Sequence, residues 1–171
     1  MKQKVITTCY KLINANYICI LLLMLVSISS VNAQKAGGAP KQEELIGYWK
    51  MEKWPTPDVI KVNPWPQPYQ WFAFYEDGRM LSMMNSTDGN YTSSDLEEIF
   101  SSLPKQKSPK YELKGLFLIV ENPNIKDYQE MWGMNLFNRD VGDVLKKGDL
   151  VMSLAGSDGA PVYYRLLRRV K

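Results

Sequence analysis

From Leu45 onward the chain alternates apolar and polar residues in a series of short runs, and the period of that alternation is two. Leu45, Gly47, Trp49 and Met51 fall on one side, and Tyr48, Lys50 and Glu52 on the other, as expected of a strand with one buried face. Tyr69 to Glu76 and Arg79 to Asn85 repeat the pattern around Asp77-Gly78, a dipeptide suited to a two-residue type I′ turn. That turn would pair Tyr75 with Met80, Phe74 with Leu81 and Phe72 with Met83, placing Phe72, Phe74, Leu81 and Met83 on an interior face. The opposite face, with Trp71, Tyr75, Met80 and Met84, is too apolar to stand in open solvent.

Further strands are expected over Tyr111 to Glu121, with Gly115 at a bulge, and over Lys126 to Phe137. Two more follow, one around Leu150, Met152 and Leu154 and a closing strand over Val162 to Arg169. The period changes once. Leu96, Ile99, Phe100 and Leu103 recur at helical spacing behind Ser94-Asp95-Leu96-Glu97, a Ser-x-x-Glu capping box, and Pro104 stops the run. A short amphipathic helix there would cover the apolar outer face. Glu97 and Glu98 then fall in its first turn, where they complement the helix dipole. The reading is a mainly β chain, a small antiparallel up-and-down barrel of about seven or eight strands with one short helix.

The first 33 residues differ from the rest. Lys2, Lys4 and Lys11 precede the apolar run Ile18 to Val26, and Val31-Asn32-Ala33 supplies a small-residue cleavage site. This is the layout of a secretory signal peptide, with residues 34–43 as a flexible polar linker and residues 44–171 as the barrel. The apolar run is short against the roughly 20 residues a spanning helix needs, so the membrane is expected to matter only through the leader. Cleavage alters the charge. Taking the three leader lysines from the 21 basic residues leaves 18, which equals the 18 acidic residues, so nothing in the bulk charge points to nucleic acid. Both cysteines, Cys9 and Cys19, also leave with the leader. An exported domain without cysteine fits the periplasm or the medium of a bacterium better than a disulfide-stapled secreted fold.

Gly47-Tyr48-Trp49 at the start of the first strand resembles the Gly-x-Trp opening of the lipocalins and lipocalin-like, calycin-type barrels. The resemblance implies a Trp at the closed end of the barrel with an Arg of the last strand packed over it. Arg165 and Arg168 are the candidates, and an antiparallel last strand beside the first favours Arg168. It also implies a long first loop over the open mouth, and the Pro-rich stretch from Pro55 to Pro68 lies at the matching place. Trp65 would plug that mouth or rest on a neighbouring strand. The helix departs from the family's pattern, in which the principal helix follows the last barrel strands.

Chemistry is narrowed by what is missing. The chain has no histidine and the mature part no cysteine, which removes Ser-His-Asp and Cys-His catalysis, the usual zinc sites and histidine switching. No Gly-rich phosphate loop and no alternating acidic calcium loop is present, so no cofactor is expected. Glu130 shares a face with Tyr128, Trp132, Met134 and Leu136. A carboxylate there is a ligand contact, a partner for an interior arginine, or turned outward by a bulge. A glycosidase-type pair needs a second inward acid, and none is apparent. The expectation is a non-catalytic binder of a small apolar or amphipathic molecule, walled by Phe72, Phe74, Met83, Trp132 and Met134, with Trp65 and Glu130 as further contacts. The alternative is a filled scaffold whose outer aromatic patch docks a protein partner.

Overall fold

The computed structural model describes residues 36–53, 67–104 and 108–171. The leader, Trp65 and most of the Pro-rich loop therefore lie outside the described residues. The elements are β1 (Gly37–Gly38), α1 (Gln42–Leu45), β2 (Gly47–Glu52), β3 (Tyr69–Phe74), β4 (Met80–Asn85) and α2 (Ser93–Ser101), then β5 (Lys110–Lys114), β6 (Phe117–Glu121), β7 (Gln129–Phe137), β8 (Leu150–Ala155) and β9 (Pro161–Arg169).

Eight strands form one antiparallel sheet in the order β4-β3-β2-β9-β8-β7-β6-β5. Neighbours in this order are also neighbours in the chain except at β2/β9, where the first and last long strands lie side by side, with Trp49 opposite Arg169 and Met51 opposite Leu167. This is the up-and-down arrangement, curled so that its outermost strands meet at one corner. There Arg79 bridges to Lys110, Met80 N–H donates to the Pro109 carbonyl at 2.9 Å, and Tyr111 N–H donates to the Gly78 carbonyl at 2.7 Å. β1 adds to β7 through Gly37 opposite Phe137, and Asn138 N–H donates to the Ala36 carbonyl at 3.0 Å. The stretch expected to be a flexible linker is thus tied down over Ala36 to Gly38 by main-chain pairing that its small side chains leave open.

Two features correct the expected strands. The β3/β4 hairpin pairs Phe74 with Met80, Ala73 with Leu81, Phe72 with Ser82 and Trp71 with Met83. The loop is Glu76-Asp77-Gly78, three residues with Gly78 at φ +76°, a form that uses a left-handed Gly as readily as the two-residue turn does. Asp77 holds it by accepting from Arg79 N–H at 3.2 Å and Arg79 Nε at 2.6 Å. Such a one-residue slip reverses the faces of β4. Met80 therefore points inside, and Leu81 and Met83 pack outside. Gly115, at φ +60°, opens a two-residue loop between β5 and β6 rather than a bulge, because Lys114 pairs directly with Phe117.

The interior is filled by Leu45, Trp49, Phe72, Phe74, Leu118, Trp132, Met134, Leu150, Met152 and Leu167, all buried, with Tyr163 and Tyr111 among them. A second cluster lies on the outer face of β3 and β4, where Trp71, Ala73 and Leu81 pack against Leu96 and Phe100 of α2. The helix does cover that face, but its cap is Thr92 rather than Ser94. Thr92 Oγ accepts from Asp95 N–H at 3.2 Å while the Asp95 carboxylate accepts from Thr92 N–H at 2.8 Å. The shorter carboxylate at the third position closes the box two residues earlier than Glu97 would. Ser93 also donates its N–H to the Lys171 carbonyl at 3.2 Å, so the end of the chain anchors the start of the helix.

Candidate functional site

At the floor of the barrel, β2 and β9 place the Arg169 guanidinium 4.4 Å from the centre of the Trp49 ring. Neither Arg168 nor Arg165 occupies that position. Tyr163, Arg165, Leu167 and Arg169 share the inward parity of β9, while Arg168 takes the other parity. Its fork binds the buried Asp149 carboxylate through Nε and Nη2, both at 2.9 Å. Arg169 in turn donates to the Ile46 carbonyl at 2.7 Å and to the Glu44 carbonyl, and the Trp49 indole N–H donates to the Leu45 carbonyl at 2.7 Å. Gly47 is required beneath them. Its φ of +121° disfavours any side chain, and a Cβ there would stand 2.8 Å from Arg169 Nη1. This end is a structural seal, with its polar atoms spent on backbone carbonyls.

The other end of the interior is different. A recess of about 170 Å³ opens between β3, β4, β6, β7 and β9. Its apolar walls include Phe72, Met80 and Val120, and its polar lining comprises Gln70, Ser82, Asn122, Tyr128, Glu130 and Arg165. Arg165 is buried, with its guanidinium 4.2 Å from the Trp132 ring centre and 5.0 Å from that of Phe72. Burial pushes its pKa down to about 10, against an upward pull from Glu130. Glu130 lies opposite Val120 in the β6/β7 ladder and so points inward, without a bulge between them. Its carboxylate accepts from the Tyr128 hydroxyl and, at 2.9 Å, from the Trp132 indole N–H. Desolvation, then the hydrogen bond to Glu130, pushes the Tyr128 hydroxyl up to about 12, which keeps it a donor at neutral pH.

Gln70 was not among the expected site residues. It is 2 % exposed, and its Oε1 has no hydrogen-bond partner among the described residues. The signal for it is in the sequence, because Gln70 shares the period-two face of Phe72 and Phe74.

Of the expected wall residues, the recess takes in Phe72 and Glu130, with Trp132 stacked behind Arg165. Phe74 and Met134 are in the packed core instead, and Met83, now outward, belongs to the cluster under α2. A larger cleft of about 480 Å³ adjoins the recess along the β6/β7 turn and shares Asn122 and Tyr128 with it. Its lining is exposed and already solvated, so a ligand there would displace water from groups that lose little by keeping it. Among the described residues no group of three His, Cys, Asp or Glu side chains could hold a metal ion, and no helix is long and apolar enough to cross a membrane.

Comparison of the chain with models of protein families, with curated proteins and with solved structures finds no match.

Proposed function

We propose that the chain is an exported, non-catalytic binding protein of lipocalin-like kind, which takes a small amphipathic molecule into the recess between Gln70 and Arg165. The observation that carries this reading is the contrast between the two ends of one interior. The floor is packed with apolar side chains and has its polar atoms on backbone carbonyls, whereas the recess places a buried cation, and a buried amide oxygen with no partner among the described residues, beside Phe72, Met80 and Val120. Burying such groups costs stability without improving packing, and a binding site is a reason to keep them. At about 170 Å³ the recess is smaller than the roughly 300–1,000 Å³ of pockets for drug-sized ligands, so the occupant is a small molecule or the head of a longer one.

Glu130 fits a holding role better than a catalytic one, since both its oxygens already accept from Tyr128 and Trp132. Docking of a protein on the outer aromatic patch loses its motive, because Trp71 is buried beneath α2 and Met80 is inside.

Native mass spectrometry of the protein recovered after export, followed by titration with mixed small amphiphiles, tests the proposal. A retained or added ligand is expected, and Ser82→Trp, which fills the rim from an exposed position, is expected to abolish it. Failure to bind any amphiphile, with identical behaviour of Ser82→Trp, would reject the site.

A further inference from the structure

We infer that the ligand of this recess is electrically neutral and carries a hydrogen-bond donor, a hydroxyl or an amide N–H, that pairs with Gln70 Oε1. The inference rests on the recess being the binding site and goes on to name the class of molecule. Two observations carry it.

The first is the balance of charge. The recess is lined by one cation, Arg165, and one carboxylate, Glu130, and by no other ionisable charge among the described residues. The pair already cancels, so a charged ligand would bring an uncompensated charge into a site where burial penalises charge. A neutral ligand carries no such cost.

The second is the sense of the unsatisfied group. Gln70 Oε1 is an acceptor, nine-tenths buried and more, and no described residue donates to it. Across the recess, each Glu130 oxygen already accepts one hydrogen bond, from Tyr128 and Trp132 respectively. Gln70 Oε1 is thus an unmet acceptor in the lining, and a ligand that offers no donor would leave it unmet at the full cost of an orphaned polar atom. Phe72, Met80 and Val120 receive the apolar body of the same molecule.

A matched series tests this. Benzyl alcohol and benzamide are neutral donors, while benzoate and benzylammonium carry the same ring with opposite charges, and toluene has the ring alone. Each is titrated into the intact protein while the indole N–H resonance of Trp132 is followed. The two neutral donors are expected to bind at least about tenfold more tightly than either ion and than toluene. Gln70→Met, which keeps the volume and removes the acceptor, is expected to erase the advantage of benzyl alcohol over toluene. Glu130→Gln leaves Arg165 without its counter-charge and is expected to move the preference toward benzoate.

Benzoate binding as tightly as benzyl alcohol in the wild-type protein would overturn the neutral-ligand inference while leaving the site intact. So would a Gln70→Met variant that folds and keeps the wild-type order of affinities. If no member of the series, toluene included, perturbs Trp132, the site itself is rejected and the inference with it. The wild-type series decides the matter even if a variant fails to fold.

Discussion

Trp49 and Arg169 face each other across the β2/β9 ladder, with the guanidinium 4.4 Å from the ring centre and two of its donors on the carbonyls of Ile46 and Glu44. The neighbouring Arg168, one residue away, performs a different task on Asp149. The two arginines are therefore expected to separate on substitution. Arg169→Met loses a cation–π contact and two hydrogen bonds from a partly exposed side chain, about 1–2 kcal/mol. Arg168→Met strands a carboxylate whose side chain is 2 % exposed, although Lys146 N–H still donates to it, and is expected to cost more, roughly 2–3 kcal/mol after allowing for the half-exposed arginine. Urea unfolding of the two variants measures both. Equal losses, or a larger loss at Arg169, would contradict the assignment of the seal and the buried pair.

The hairpin register gives a second expectation. Met80 is in the interior core and 8 % exposed, while Met83 lies on the outer face at the margin of the α2 cluster. Met80→Ala is expected to cost roughly 2–4 kcal/mol and Met83→Ala about 1 kcal/mol or less. The two-residue turn would reverse that order, so thermal unfolding of the pair of variants separates the registers directly.

Glu130 and Arg165 should behave as a unit. Glu130→Gln keeps an acceptor for the Trp132 indole but leaves Arg165 buried without its counter-charge, and Arg165→Met leaves the opposite imbalance. Each single change is expected to destabilise by about 1–3 kcal/mol, and the double change to recover most of the loss. A double-mutant cycle with a coupling energy near zero would show that the two charges do not sense each other.

Acid should weaken the molecule at the α2 cap. The Thr92 side chain, then the Thr92 backbone N–H, hold the Asp95 carboxyl below its ordinary value of about 4. A group whose pKa is lower in the folded state adds stability above its unfolded pKa, and that stability is lost as pH falls through the folded value. The unfolding midpoint is thus expected to decline as pH falls below about 4, and Asp95→Asn to lower the midpoint at pH 7 and to shrink that decline. An identical slope in the variant would assign the acid sensitivity elsewhere.

What could be read in advance follows from which rules have period two and which need an anchor. The strand faces of β2, β7 and β8 and the helix over β3/β4 follow directly from apolar spacing, whereas Glu130 is legible only as a carboxylate that shares an apolar face unless a bulge turns it outward, a choice made by its direct pairing with Val120. The arginine over Trp49 is not legible, because counting from the closing strand needs one residue of known orientation. Had Leu167 been taken as inward, Arg169 rather than Arg168 would have followed by parity. The β4 faces failed for a related reason. Asp77-Gly78 fits a two-residue and a three-residue loop alike, and the local Asp77–Arg79 contacts that accompany the longer one leave no mark on the pattern of apolar positions. Gln70 is legible by the parity it shares with Phe72 and Phe74, and as the polar residue on that apolar face it marks the recess.

The corner where Arg79 meets Lys110 leaves a further mark on how the molecule must behave in company. Beyond those few bonds β5 has, among the described residues, one flank of main-chain donors and acceptors with no strand beside it. A bare flank of that kind invites a second molecule to zip on and grow a fibre. β5 presents Lys110, Glu112 and Lys114 outward, all exposed, with the last two joined at 2.8 Å. Hydration and charge at these three side chains make edge-to-edge approach of a second molecule along β5 unfavourable.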